Sequence, residues 1–300
     1  MLSLAQLSAL YERYRSDFDR PVREFSLGSQ AFTSSAGASL MGVINLSPDS
    51  WYRESVVLTT EAAIQRGLLL RTQGAAVVDL GAESSLAHAE RLTPAVMQEK
   101  LRPVIAGLAQ EGVLVSVETY HPTVTTACLK AGAKILNLTG SSQTEAIFRE
   151  VAAHEAGVII CFVQGDNVRE VGERTLTNDP IPLLYDYFAR KIEEAQRCGV
   201  TRIWIDPGLG FYYPNLQDSE VRIRHQMEIF LNAFRLRGLG WPICQALPHA
   251  FACFEDEVRS AEPFFAVLAL LARTGLLRTH EVAKVRGVLR TMSLFSAPAP

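Results

Sequence analysis

Ile203-Trp204-Ile205-Asp206-Pro207-Gly208-Leu209-Gly210-Phe211 decides the reading of this chain. A short apolar run gives way, without alternation, to a carboxylate and a Pro-Gly turn. Strands that read as continuous apolar runs are buried on both faces. The same grammar recurs along the sequence. Leu40 to Ile44 ends at Asn45, Val77 and Val78 at Asp79, Leu114 to Val117 at Glu118, Ile135 and Leu136 at Asn137, and Val158 to Val163 at Gln164. Ile243 to Ala246 enters a loop holding His249, and Leu276 with Leu277 leads to Arg278 and His280. Each run is followed by a helix-patterned stretch, and strands alternating with helices imply a parallel sheet. Eight such units predict an α/β fold, a (β/α)8 TIM barrel, whose chemistry sits at the C-terminal ends of its strands. The polar ring falls where a barrel works.

A barrel of this kind takes about 250 residues. The chain has 300, so it divides into an N-terminal helix and β-like extension over residues 1–39, a barrel over 40–295 and a flexible tail over 296–300. The extension is expected to cap the barrel's lower end. Helices are predicted over 59–73, 93–110, 121–130, 143–155, 180–198, 219–236, 254–274 and 281–293. Gly74, Gly112, Gly132, Gly157, Gly199, Gly238 and Gly275 are read as their stops. The connections 47–58 and 164–179 exceed the usual loop length and are candidate lids.

A charged content of 20% and a net charge of −3 leave no polybasic field, which argues against nucleic acid or a membrane surface as partner. No apolar stretch approaches the roughly 18 residues of a membrane span, and no cationic segment with an apolar core opens the chain. A cytoplasmic protein is expected. Five cysteines without CxxC spacing read as buried free thiols, not as a disulfide framework or zinc site.

Asp206 is the sharpest position, because a carboxylate at a strand end before a stiff turn can accept two parallel hydrogen bonds. A guanine-like edge, a ring N–H beside an exocyclic amino group, offers that donor pair. An N-cap or a barrel salt bridge is the competing structural reading. The Asn45 amide suits a metal-bound anion or ring heteroatoms. Asp79, Glu118 and Asn137 extend the set toward a flat, nitrogen-rich heterocycle, or else cap loops. Arg278 and His280 suit an anion or an aromatic face, or else a solvated helix start.

In order along the chain, Met-Gly-Val-Ile-Asn-Leu-Ser-Pro-Asp-Ser (41–50), Val-Asp-Leu-Gly-Ala-Glu-Ser (78–84), Ser-Val-Glu-Thr (116–119), Leu-Asn-Leu (136–138), Asp-Pro-Gly-Leu-Gly-Phe (206–211) and Arg-Thr-His-Glu-Val (278–282) resemble the dihydropteroate synthase family of pterin-binding barrels. The resemblance runs from about residue 40 to 290. It implies a transferase that joins 6-hydroxymethyl-dihydropterin diphosphate to p-aminobenzoate or another amine, releasing diphosphate in a step with carbocation character at the exocyclic methylene. On this resemblance Asp79, Glu118, Asn137, Asp206, Phe211 and His249 would lie at the pterin. Asn45 would sit beside Mg2+ and the diphosphate, and Arg278 and His280 would contact the leaving group. A homodimer through the last helices is the implied assembly.

The departures from the family pattern lie in the site. Ser85, Leu86 and Ala87 stand where the family has Thr-Arg-Pro, whose Arg grips the diphosphate. Leu247, Pro248, His249, Ala250 and Phe251 replace Ser-Arg-Lys-Ser-Phe. Glu118 replaces an Asp, Trp51 to Glu54 replace a Phe-Ser-Asp-Gly-like segment, and Tyr212 and Tyr213 stand for Gly and Lys. Losing Arg and Lys weakens anion binding while the pterin floor is kept. Two alternatives to the transferase follow: a pterin- or folate-dependent methyltransferase-like enzyme, and a non-catalytic pterin-binding paralogue.

Overall fold

The computed structural model describes residues 2–33, 37–47, 55–84, 90–210 and 213–295. Trp51 to Glu54, Ser85 to Ala87, Phe211, Tyr212 and the 296–300 tail therefore lie outside the described residues. Helix α1 (Leu4–Arg13) opens with a reciprocal cap. The Gln6 N–H donates to the Ser3 hydroxyl and the Ser3 N–H to the Gln6 side chain, which satisfies two donors that the first turn would leave orphaned. The short α2 (Arg15–Phe18) leads to an antiparallel hairpin of β1 (Phe25–Leu27) and β2 (Gln30–Phe32).

Strands and helices then alternate: β3 (Ser39–Asn45), α3 (Thr60–Gln73), β4 (Val77–Gly81), α4 (Pro94–Gln110), β5 (Val115–Thr119), α5 (Pro122–Ala131), β6 (Ile135–Leu138), α6 (Thr144–Ala153), β7 (Gly157–Cys161), α7 (Ile181–Arg197), β8 (Ile203–Asp206) and α8 (Ser219–Asn232). The series ends with β9 (Cys244–Ala246), α9 (Phe251–Phe254), α10 (Ala261–Leu271), β10 (Leu276–Thr279) and α11 (Val282–Ser293). The strands pair in parallel in the order β8-β7-β6-β5-β4-β3-β10-β9. A parallel bridge between Ile205 and Ile243, with the Ile205 N–H donating to the Pro242 carbonyl at 3.1 Å, joins the outer two and closes the barrel. All eight predicted runs are strands of it.

Period two along each strand sorts the residues. Leu40, Ile44, Val78, Leu80, Val115, Val117, Leu136 and Ile160 face the helices. Met41, Val77, Ile135, Ile159, Trp204, Cys244 and Leu276 fill the interior. Two residues further along the strands, the inward column turns polar: Asp79 follows Val77, Asn137 follows Ile135, Asp206 follows Trp204 and Arg278 follows Leu276. An apolar floor thus carries a polar upper layer at the C-terminal strand ends.

The extension seals the floor. Trp204 is fully buried, and the rings of Phe25 and Phe32 meet it edge-on at centroid separations of 4.6 and 4.9 Å. Such aromatic pairs add about 0.5–1.5 kcal/mol beyond their buried area. Arg237 donates to the Arg20 carbonyl and Arg273 to the Phe18 carbonyl, tying the segment to the barrel's lower rim.

Three expectations about helix ends need correction. Gly74, Gly112, Gly132 and Gly199 adopt positive φ as predicted, but Gly157, Gly238 and Gly275 do not. Glu155 and Arg273 take the left-handed step after α6 and α10, and Gly240 does so after the 3-10 segment Ala233–Leu239. Gly157 serves contact instead, since a Cβ there would come within 2.9 Å of the Trp204 ring. The predicted helix over 219–236 ends at Asn232. That over 254–274 is α10 alone, preceded by a 3-10 turn over Glu255–Ser260. Pro263 is tolerated in the first turn of α10, where an N–H would have no intrahelical partner. Among the described residues no helix is long and apolar enough to cross a membrane.

Candidate active site

Arg278 organises the polar layer. Its Nε donates to Asp79 Oδ2 at 2.7 Å and its Nη2 to Glu118 Oε2 at 2.8 Å, so one guanidinium is held by carboxylates from β4 and β5. Asp79 is fully buried and also accepts from Ser116 Oγ at 2.7 Å and Asn137 Nδ2 at 3.1 Å. The Cys161 thiol donates to Asn137 Oδ1 at 3.2 Å, which fixes that amide from both ends. Burial pushes the Glu118 carboxyl up to about 7 against the pull of Arg278, with Asp79, Glu83 and Asp206 adding to the rise. Burial would also lower the Arg278 pKa, but Asp79 and Glu118 more than offset it. The guanidinium stays charged.

Asp206 ends β8 and turns its carboxylate into the cleft, where Oδ1 accepts the Gly208 N–H at 2.7 Å. The Pro-Gly turn thereby fixes the acid it follows. Burial raises this carboxyl to about 6, opposed by the Gly208 N–H, by Arg278 and by a hydrogen bond with Cys244.

The same turn is gripped from outside. Arg174, in the loop after β7, is buried and donates to the Pro207 carbonyl at 3.0 Å and to His225 Nε2 at 3.0 Å. Its guanidinium lies over Phe162 and Tyr213, at 4.8 and 5.0 Å from the ring centroids. The loop over 164–179, expected as a lid, is pinned by these bonds and by paired contacts between Gln164 and Thr175, each of 2.7 Å.

Asn45 ends β3. Its Nδ2 donates to Ser55 Oγ at 2.6 Å, which leaves Oδ1 on the side of Gly81. A Cβ at Gly81 would lie 3.5 Å from that oxygen and 3.8 Å from Glu118 Oε2, so the glycine leaves space between two acceptor oxygens.

On the other side of Arg278, His249 and His280 converge on Glu262. His280 Nδ1 lies 2.8 Å from Glu262 Oε1, His249 Nε2 lies 3.3 Å from the same oxygen, and the two ring nitrogens are 3.3 Å apart. Glu262 is fully buried in the first turn of α10 and also accepts from the Thr279 hydroxyl and from the His280 and Glu281 N–H groups. Burial alone would raise its carboxyl, but the hydrogen bonds from both histidines hold it far below the ordinary carboxylate range. Burial lowers the His280 pKa despite Glu262.

These groups share one cleft of about 200 Å³ at the C-terminal end of the barrel, with Asn45, Glu118, Asn137, Asp206 and Arg278 on its walls. A model of the pterin binding enzyme family matches residues 41–244. The chain belongs to the pterin-binding enzyme family. It is 28% identical over 274 residues to the dihydropteroate synthase of Streptococcus pyogenes, covering 87% of this chain and 97% of that one. It is 29% identical over 201 residues to the folate synthesis bifunctional protein of Arabidopsis thaliana, covering 63% of this chain and only 41% of the plant protein. Among solved structures, Xanthomonas albilineans dihydropteroate synthase with 4-aminobenzoic acid superposes with a TM-score of 0.75 at 24% identity. That match covers 92% of this chain and all of the other. The same enzyme in complex with 7,8-dihydropteroate gives a TM-score of 0.74 at 23% identity, again over 92% of this chain.

Within this pterin-binding barrel the sequence reading assembles unevenly. Asn45, Glu118, Asn137, Asp206, Arg278, His249 and His280 all line the cleft. Asp79 does not; its oxygens are taken by Ser116, Asn137 and Arg278, and it supports the wall from behind. Three residues at or against the cleft were not found by the sequence reading. Glu262 had a visible signal, a lone acid before Pro263 in an otherwise apolar helix. Arg222, in the second turn of α8, lines the cleft and donates to the Leu216 carbonyl at 2.9 Å. Arg174 sits in an irregular loop, where periodicity gives no guide.

Proposed function

We propose that the protein is a dihydropteroate synthase-type transferase that joins a 6-hydroxymethyl-dihydropterin diphosphate to an amine, with release of diphosphate. One observation carries the reading: five strands deliver Asn45, Glu118, Asn137, Asp206 and Arg278 to one cleft, and the first four lie within the stretch that the family model matches. Asp206 receives the ring N–H and exocyclic amino group of the pterin. Asn137 and Glu118 meet the remaining heteroatoms, with Arg278 beside the ring. The bond from the methylene carbon to the diphosphate oxygen breaks, and its electron pair leaves with the diphosphate. The amine lone pair then closes on the methylene, and the amine proton passes to solvent. Carboxylates around the ring favour positive charge at that carbon as it develops.

Asn45 Oδ1 fits Mg2+, a hard ion that takes oxygen ligands and usually shares them with substrate phosphates. When bound there the ion would neutralise charge on the departing diphosphate. His249 and His280 would face the far end of that group. Pairing of two copies through α10 and α11 belongs to the same reading and is supported by the exposed Phe264 and Leu271 on α10; a single-chain mass in solution would overturn it.

The test is to supply the purified protein with the pterin diphosphate, Mg2+ and a panel of arylamines that includes p-aminobenzoate, and to measure diphosphate release. Release that depends on one of the amines is expected. No release with any of them would overturn the proposal.

A further inference from the structure

We propose that His249, Glu262 and His280 form a site for a divalent transition-metal ion, zinc being the best match, with its open position on the cleft. Three different segments supply the ligands: the loop after β9, the first turn of α10 and the residue just past β10. A tetrahedral zinc ion binds nitrogen and oxygen at about 2.0–2.1 Å, which places its ligand atoms roughly 3.3–3.4 Å from one another. His249 Nε2, His280 Nδ1 and Glu262 Oε1 stand 3.3, 2.8 and 3.3 Å apart, so an ion enters with shifts of a few tenths of an ångström. Among the described residues this is the one group of His, Cys, Asp and Glu side chains with such spacing.

Two imidazoles and one carboxylate suit zinc or its first-row neighbours better than magnesium or calcium, which prefer all-oxygen sites. The surroundings are those of a built site. Glu262 Oε2 is engaged by the Thr279 hydroxyl and by the N–H groups of His280 and Glu281 at 3.0 and 3.2 Å, which turns Oε1 toward the imidazoles. Both histidines line the cleft, so a fourth ligand would come from that side.

The position gives the ion a role, and this part rests on the transferase reading. The chain has Leu86 and His249 where its relatives' pattern carries cations; Arg278 is already held by Asp79 and Glu118, and Arg222 donates to the Leu216 carbonyl. A dication at His249 and His280 restores positive charge in the cleft, with its fourth position open to a diphosphate oxygen.

Chelator-treated wild-type protein should be titrated with Zn2+ by calorimetry in excess Mg2+, which occupies oxygen sites such as Asn45, and bound zinc counted by elemental analysis. One ion per chain is expected, with an affinity at least about 100-fold weaker in His249→Gln and in His280→Gln. Glu262→Gln is a poorer probe, because Glu262 also receives backbone N–H groups. If wild type holds no more zinc than the two histidine variants, the three residues form a hydrogen-bonded triad only and the proposal fails. A second titration, inorganic diphosphate into the zinc-loaded and zinc-free proteins, should show at least about tenfold tighter binding with zinc and, in His249→Lys, zinc-independent binding. Zinc uptake with no effect on diphosphate would keep the metal site and overturn its role at the leaving group. Neither result alters the separate test of diphosphate release.

Discussion

Asp206 ties the protein's pH response to its ligand. Burial lifts this carboxyl to about 6 from its ordinary 3.8. A ring N–H beside an amino group needs the carboxylate as acceptor, so pterin affinity should follow the ionised fraction. The dissociation constant should be level above about pH 7 and rise about tenfold for each unit below 6, standing about tenfold above its plateau near pH 5. Stability of the ligand-free chain runs the other way. Between about pH 4 and 6 the folded protein keeps a proton that the unfolded chain has lost, so its unfolding free energy falls as pH rises through that window and is level above it, by about 3 kcal/mol from this group. Asp206→Asn should remove its share of both effects: it makes the stability slope shallower by about 3 kcal/mol over that window, and it weakens binding near pH 7.5 by about 100-fold, because an amide NH2 then faces the ligand's donors. Glu118, lifted from 4.5 to about 7, adds a fall of the same sign between about pH 4.5 and 7 that overlaps this window and that the variant leaves in place. Calorimetric titrations with 6-hydroxymethyl-dihydropterin from about pH 5 to 8, paired with urea unfolding at each pH, read both quantities. Equal dissociation constants near pH 5 and 7.5 in the wild type, or wild-type affinity in Asp206→Asn, would refute the reasoning.

Other substitutions probe the frame around that acid. Arg278→Met leaves Asp79 buried without its cation and should cost about 3–5 kcal/mol in urea unfolding, part of which Asp79→Asn in the same chain should recover. If the second change deepens the loss, the pairing argument fails. Trp204→Ala empties the barrel floor and should cost about 3–5 kcal/mol; a loss under about 1 kcal/mol would mean that the hairpin does not depend on that ring. Arg174→Met should destabilise by about 3 kcal/mol, expose 164–179 to limited proteolysis and weaken pterin binding through the loosened Asp206 turn, whereas an unchanged cleavage pattern would show that the loop is held by other contacts.

The barrel was legible because its strands are buried on both faces, and that demand writes itself into the sequence as runs such as Ile203 to Ile205. The site was legible for a related reason. At the last inward position of a strand the lumen opens to ligand, and a polar side chain there interrupts an otherwise apolar run, as Asn137 and Asp206 do. Position alone does not say what such a residue touches, however. Asp79 carries the same signal, yet its strand places it one layer deeper, where Arg278 and Ser116 occupy it. Glu262 and Arg174 were hidden because they act on the cleft from a helix start and an irregular loop, where partners are set by tertiary contacts.

The distribution of charge links the kept and altered halves of the site. Around the pterin end, the acids Asp79, Glu118 and Asp206 face the guanidinium of Arg278, with Arg174 behind the Asp206 turn. That surplus favours positive charge on the ring and its methylene and opposes a diphosphate drawn close to it. A leaving group is best accommodated where the field changes sign, and besides Arg222 on the cleft wall the described residues offer two further directions for it. Asn45 offers an oxygen to a hard cation, and His249 and His280 are kept oriented by the Glu262 carboxylate they share. A Lys at position 249 would supply that charge directly. If the proposed ion is bound, His249 supplies it through that ion, and the zinc and diphosphate titrations then bear on the chemistry of the whole cleft.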